Sequence, residues 1–309
     1  MGFEDVVAST ARKYSTLSDF VLRVAQKVAP DRCILLPYPI DSKPRWSLEK
    51  PNPALAEIIN RDRSTYAHHL RSFLGFRDNL LEIPERPPEA PSSRDPYWLN
   101  GWMPALDGIA LYSFISLNRP KRYLEIGSGN STKFARRAIV DHSLDTRIIS
   151  VDPCPRADVE DICDDSIRSR VEDVPLETFD ILEANDILYI DNSHTVFMNS
   201  DSTVMFLDVI PRLKPGVLVE IHDIALPCDY PVAWKNRYYA EQYLLAAYLL
   251  ADGNRFDIAL PSAFVSDDAE MKEILSPLWA APAMKNVEKF GCSFWFRMRG
   301  VGARGCQPE

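Results

Sequence analysis

The stretch RYLEIGSGNSTKFARRAI, Arg122 to Ile139, decides the fold. Five largely apolar residues run through two glycines, Gly127 and Gly129, into apolar positions at helical spacing. A strand that turns through glycine into a helix delivers the helix's free N–H groups to a ligand. The same rhythm continues along the chain. Strands are expected at 122–126, 147–151, 167–171, 186–190, 216–221, 256–260 and 292–298, and helices at 131–141, 200–212 and 235–251. That alternation predicts βαβ units and a mostly parallel, doubly wound α/β sheet. RYLEI and DILYI are almost continuously apolar, as strands covered on both faces are.

The N-terminal part reads differently. Residues 4–29 suggest one helix, 31–52 are proline-rich and irregular, and 53–82 form a second helical stretch. PERPPEAPSSRDP (84–96) is a proline-laden linker, and the domain boundary is placed there. Residues 1–95 become a helical extension with its linker, and residues 96–309 a catalytic domain. A helix at 100–117 leads into the sheet, with Pro104 near its first turn, where a missing N–H costs nothing.

The chain of 309 residues is 46% hydrophobic and 26% charged, with a net charge of -9. No dense Lys/Arg block stands out, so nucleic acid is not an expected partner. No apolar run reaches the roughly 20 residues of a membrane span. MGFEDVVAST carries acids where a signal peptide needs an apolar core, and Val6 breaks the myristoylation pattern. The six cysteines are scattered without a CxxC, which argues for a reduced cytoplasmic setting and against a structural-zinc or disulfide framework.

The glycine turn G-S-G-N-S-T (127–132) has Thr132 where a dinucleotide fingerprint needs its third Gly. Asp152 follows at the tip of the second strand, about 20 residues on, where a carboxylate accepts both ribose hydroxyls. The site therefore suits an adenosine-like ligand more than a dinucleotide. Glu125, two residues before the first Gly, favours a cationic ligand. S-adenosylmethionine combines a sulfonium, an amine, a carboxylate and a ribose, with no phosphate.

On these residues the chain resembles a class I S-adenosylmethionine-dependent methyltransferase: LEIGSGNS is similar to that family's first motif and ISVDP to its second. The resemblance covers about residues 100 to 299. It implies a Rossmann-like seven-stranded sheet whose closing strand, CSFWFRM, runs antiparallel. It also implies cofactor contacts from Glu125, Gly127, Ser128, Gly129, Asn130, Ser131 and Asp152. Glu172 and Asp173, in VEDVP, fall where the family's adenine-contacting acid often lies.

A second constellation ends the fourth and fifth strands: Asp191, Asn192 and His194, then His222 and Asp223. In an open parallel sheet, ligands bind beyond the carboxyl ends of the strands. Two chemistries fit. His194 or His222 removes a proton from an attacking hydroxyl, with Asp191 or Asp223 orienting the ring. Alternatively Asp191, Asp223 and Asp201 hold Mg²⁺, which takes oxygen ligands. The pattern resembles the small-molecule O-methyltransferase branch, but Ile224 stands where its catechol-type members have Asn. His68 and His69 are assigned surface or packing roles, and His142 a place at a helix C-terminus. Tyr97, Trp98 and Trp102 either wall a pocket or fill a seam, and the helix at 238–251 is expected to be buried, with Gln242 turned towards the site.

The expected function is methyl transfer from S-adenosylmethionine to an oxygen of a small polar acceptor, by a cytoplasmic protein that is not membrane-bound and forms a homodimer through, or covers its substrate side with, residues 1–95. The rival readings are an aminopropyl transferase or an NAD-dependent oxidoreductase on the same fold, and a non-catalytic nucleoside-binding protein.

Overall fold

The computed structural model describes residues 17–30, 34, 40–87, 94–155, 159–252 and 255–300. Residues 1–43 and the chain from Pro44 onward form two compact units. The first contains helix α1 (Leu17–Val28), inside the stretch expected to be helical; residues 4–16 of that stretch lie outside the described residues.

The second unit is built on a seven-stranded sheet: β1 (Arg122–Ile126), β2 (Arg147–Val151), β3 (Asp165–Ile167), β4 (Ile187–Ile190), β5 (Leu218–Ile221), β6 (Phe256–Pro261) and β7 (Phe294–Met298). The order is β3-β2-β1-β4-β5-β7-β6. All neighbours are parallel except β7, which runs antiparallel to both β5 and β6. This is a Rossmann-like, doubly wound architecture. The order reverses between β1 and β4, which puts the ligand crevice at their carboxyl ends. One row of paired residues crosses the sheet centre: Ser150, Glu125, Tyr189, Glu220 and Trp295. Two fully buried glutamates thus flank a buried tyrosine on one face.

The helices before the linker belong to the sheet's unit: α2 (Pro53–Asn60), α3 (Arg63–Phe73) and α4 (Arg77–Leu81). Asn52 caps α2 by accepting from Leu55 N–H at 3.1 Å, with Pro53 at the first position. Leu55, Ile59, Tyr66, Leu70 and Phe73 are buried in the common core. The boundary therefore falls at Pro44 rather than in the linker, because these helices cannot leave their apolar faces in water.

Helix α5 (Ala105–Asn118) is buried from Ala105 to Ser116 and packs on α6 (Asn130–Asp141). Gly108 allows that approach: a Cβ there would lie 2.9 Å from the Phe134 ring. Trp98 packs on the same ring, while Trp102 is exposed. The stretch 200–212 forms α7 (Asp201–Val204), continued by a π-helical turn (Met205–Val209). The strand expected at 167–171 lies earlier, at Asp165–Ile167, and Val171–Asp173 curls into a 3-10 turn that buries Val171. Helix α8 (Glu241–Asp252) packs on α2 and buries one face only; Tyr243 and Leu250 are exposed, so it lies at the surface rather than filling a core. Among the described residues, no helix is long and apolar enough to cross a membrane.

Candidate active site

The glycine turn leaves β1 at Gly127, whose φ of +80° lies in the left-handed region. A Cβ on Gly127 would collide with the backbone carbonyl of Asp191, at the end of β4. The turn and the β4 rim are therefore in backbone contact. Gly129 has only open space where its Cβ would be, a place a ligand can fill beside the N-terminus of α6.

Thr132, which breaks the dinucleotide fingerprint, has a structural task. Its hydroxyl accepts from Gly129 N–H (3.0 Å) and donates to Glu125 Oε1 (2.5 Å). Ser131 and Tyr123 donate to Glu125 Oε2, each at 3.1 Å. Burial pushes the Glu125 carboxyl up to about 8, against these hydrogen bonds. Glu125 is thus held to the inside of the turn by three hydroxyl donors. Asp152 closes the turn from β2: Oδ2 accepts from Ser128 N–H (2.8 Å) and Oγ (3.2 Å), and Oδ1 from Cys154 N–H (2.7 Å). A narrow crevice beside it is lined by Ser128, Pro155, Val159 and Arg168. Asn130 is half-buried at the first position of α6, and Ser131 is turned inward. Glu172 pairs with Arg170 at 2.8 Å, and Asp173 is exposed.

The second cluster assembles at the ends of β4 and β5. His194 and Asp223 both hold left-handed backbone, φ 56° and 54°, a conformation that costs an L-residue about 1–2 kcal/mol. Local bonds hold His194 there: its N–H donates to Asn192 Oδ1 (2.8 Å), and its carbonyl accepts from Ala240 and Glu241 N–H at the start of α8. The ring is 3% exposed. Nδ1 lies 2.9 Å from Glu241 Oε2, and Nε2 faces Asp191 Oδ1 at 3.3 Å and Asp223 Oδ2 at 3.5 Å. Burial opposes charge on this imidazole, but Asp191 and Glu241 outweigh it and hold its pKa well above the usual value.

His222 stands on the far side of the two aspartates. Nδ1 is 3.5 Å from Asp223 Oδ1 and 3.8 Å from Asp191 Oδ1; Nε2 is 3.6 Å from Asp107 Oδ2 and 4.0 Å from Cys292 Sγ. Burial again opposes its charge, and Cys292, Asp107 and Asp191 reverse the balance, so its pKa is raised.

The structure brings Asp191, His194, His222 and Asp223 together and leaves Asp201 apart. Asp201 accepts from Ser193 N–H (2.8 Å), Ser193 Oγ (2.7 Å) and Ser202 N–H (2.7 Å), ordering its own loop at the start of α7. Among the described residues, the three donor side chains that converge within 4.8 Å are Asp107, His222 and Cys292. Asp191, Asp201 and Asp223 are not such a group: Asp191 and Asp223 face the same His194 nitrogen, while Asp201 is engaged in its own loop. Gln242 accepts from Ala225 N–H (2.9 Å), fixing the loop after β5. His69 stacks on Phe73 and meets Phe114 edge-on, and burial lowers its pKa to about 4; His142 ends α6 against Tyr112, 3.1 Å away.

Sequence reasoning missed Asp107 and Glu241, the two acids behind the histidines. A lone acid within the apolar helix ALDGIALYSF was the available signal for Asp107. Glu241 opens α8 at a distance of 47 residues from His194, which no local pattern reveals.

Residues 124–224 match the family model of a methyltransferase domain. Among solved structures, the chain is similar to the SAH-bound methyltransferase PaMTH1 of Podospora anserina, at 15% identity over 93% of this chain and 98% of that one, with a TM-score of 0.39. It is also similar to the O-methyltransferase from Bacillus cereus in complex with SAH, at 15% identity over 90% and 97%, TM-score 0.36. A third is the O-methyltransferase TomG from Streptomyces achromogenes in complex with SAM, at 16% identity over 81% and 92%, TM-score 0.31. A sequence search of curated proteins finds no match. Over residues 124–224 the chain is thus similar to a methyltransferase domain, and that stretch runs from β1 to the end of β5, the part of the sheet that carries both clusters.

Proposed function

We propose that the protein transfers a methyl group from S-adenosylmethionine to a hydroxyl oxygen of a small polar acceptor, with His194 as the general base. One observation carries this reading: the glycine turn touches Asp191, and Asp191 touches His194, so a base stands beside the turn that suits the cofactor. The residues fit such a cofactor through the open space at Gly129, the N-terminus of α6 and the carboxylate of Asp152. When bound, S-adenosylmethionine supplies an electrophilic methyl on a neutral leaving group.

The chain's own residues do the rest. Glu241, fully buried, fixes the His194 tautomer by accepting at Nδ1, which turns Nε2 towards the rim. Nε2 takes the acceptor's proton as its oxygen attacks, and Asp191 and Asp223 stabilise the resulting imidazolium. Because the ring's pKa is raised, the base form grows with pH, and turnover is expected to rise into the alkaline range. Tyr239, its ring 4.7 Å from that of His194, and Trp234 beside it give the acceptor a flat wall. No step runs through Mg²⁺.

Calorimetric titration with S-adenosylmethionine and with NAD tests the cofactor. Binding of the first alone supports the reading; binding of NAD or of neither overturns it. The base is tested by labelled methyl transfer to a panel of small hydroxyl compounds. Activity that His194→Ala abolishes with cofactor binding intact is expected, and undiminished activity in that variant would remove His194 from the role.

A further inference from the structure

We propose that Asp107, His222 and Cys292 form a binding site for a zinc-type divalent ion, set behind the rim and distinct from the Asp191–Asp223 pair. The three residues come from α5, the end of β5 and the segment entering β7; Asp107 and His222 are buried and Cys292 is half-buried. Their donor atoms are 3.6 Å (Asp107 Oδ2 to His222 Nε2), 3.5 Å (Cys292 Sγ to Asp107 Oδ2) and 4.0 Å (Cys292 Sγ to His222 Nε2) apart. Tetrahedral zinc with its ordinary bond lengths separates such donors by about 3.3–3.6 Å. The sulfur–oxygen edge already matches, and the two edges to His222 Nε2 each need a contraction of a few tenths of an ångström.

The donor chemistry selects the ion. Thiolate sulfur and imidazole nitrogen suit zinc and its neighbours, whereas magnesium and calcium take oxygen sets. The outer support is also in place. Asp107 Oδ1 accepts from Ser293 N–H (3.0 Å) and Oγ (2.6 Å), which holds Oδ2 towards the cluster.

A separate observation points the same way. Glu220 precedes His222 by two residues along β5, on the same face of the sheet. It is fully buried, and neither carboxyl oxygen has a hydrogen-bond partner among the described residues. A buried unsatisfied carboxyl is rare in a folded protein, and an ion nearby is one of the few ways to account for it. The ion would tie α5 to β5 and β7 through His222 Nε2, leaving Nδ1 towards Asp223.

The test uses the full chain, purified without chelator. Elemental analysis is expected to give one equivalent of zinc per chain. After stripping, titration with Co²⁺ alone is expected to produce a thiolate-to-cobalt charge-transfer band. Cys292→Ser should abolish the band, and Ser293→Ala, which keeps all three ligands, should weaken metal binding roughly 10- to 100-fold. Circular dichroism checks the fold of both variants, and should Cys292→Ser misfold, the wild-type band and Ser293→Ala still decide. Three results would overturn the site: no metal and no band in the wild type; a band that persists in folded Cys292→Ser; or an ion lost only in Asp191→Ala or Asp223→Ala, which would put it on the rim.

Discussion

Replacing Glu241 by glutamine keeps the shape of the His194 partner and removes its charge. The wild-type pair is 2.9 Å apart and both groups are buried. At an effective dielectric constant of about 20, two unit charges at that distance attract by about 6 kcal/mol. Both have already given up water, so the measurable cost of removing one partner is smaller, about 3–5 kcal/mol. That cost depends on pH. His194 has a raised pKa in the folded state, so the stability it contributes is complete below the unfolded value of about 6.5 and is lost as pH rises through the folded value. Glu241→Gln should therefore be most destabilised at neutral and mildly acid pH, with the gap to wild type closing as the medium turns alkaline. The amide also offers an N–H to Nδ1, which suits the neutral ring, so the His194 titration should move to lower pH. Urea unfolding at a series of pH values and NMR titration of the ring protons read the two effects. A stability gap that stays constant with pH, or a His194 titration that does not move, would refute the pairing as the source of the ring's charge.

Gly127→Ala should lose both stability and cofactor binding, by at least about 1–2 kcal/mol from its left-handed backbone alone, because the new Cβ displaces the Asp191 carbonyl; thermal melting and calorimetry measure the two. Gly129→Arg, facing open space, should keep the wild-type melting temperature while binding of S-adenosylmethionine fails. Gly108→Ala forces a methyl to 2.9 Å from Phe134 and should cost about 1–3 kcal/mol in urea unfolding. Burial raises the Glu220 carboxyl well above its usual value, so its contribution falls as pH climbs above the unfolded pKa of about 4.3. In protein stripped of metal, Glu220→Met should be the more stable form at pH 8, with an advantage that shrinks towards pH 4; an advantage equal at both would contradict an ionisable, unpartnered Glu220.

The parts of the fold legible in the sequence were those governed by neighbours along the chain. Alternating apolar runs and helical spacing located β1, β2, β4, β5, β6 and β7 to within two residues, because side-chain period follows backbone geometry directly. β3 was misplaced because a short edge strand carries little apolar signal and Val171 buries its side chain from a turn instead. The early helices looked separate because a proline-rich linker follows them, but their buried faces needed the sheet unit's core.

The sequence by itself determined the glycine turn, its acid at Asp152 and the D-x-x-H and H-D strand ends, since turn conformation and strand termination are local matters. The tertiary structure decided how each side chain was used. It turned Glu125 inward onto Ser131 and Thr132, separated Asp201 from Asp191 and Asp223, placed Glu241 behind His194, and gathered Asp107, His222 and Cys292 from three distant segments. The reason is physical: the charge and pairing of a buried group depend on what the sheet order sets across from it, and that partner stands far away in the chain.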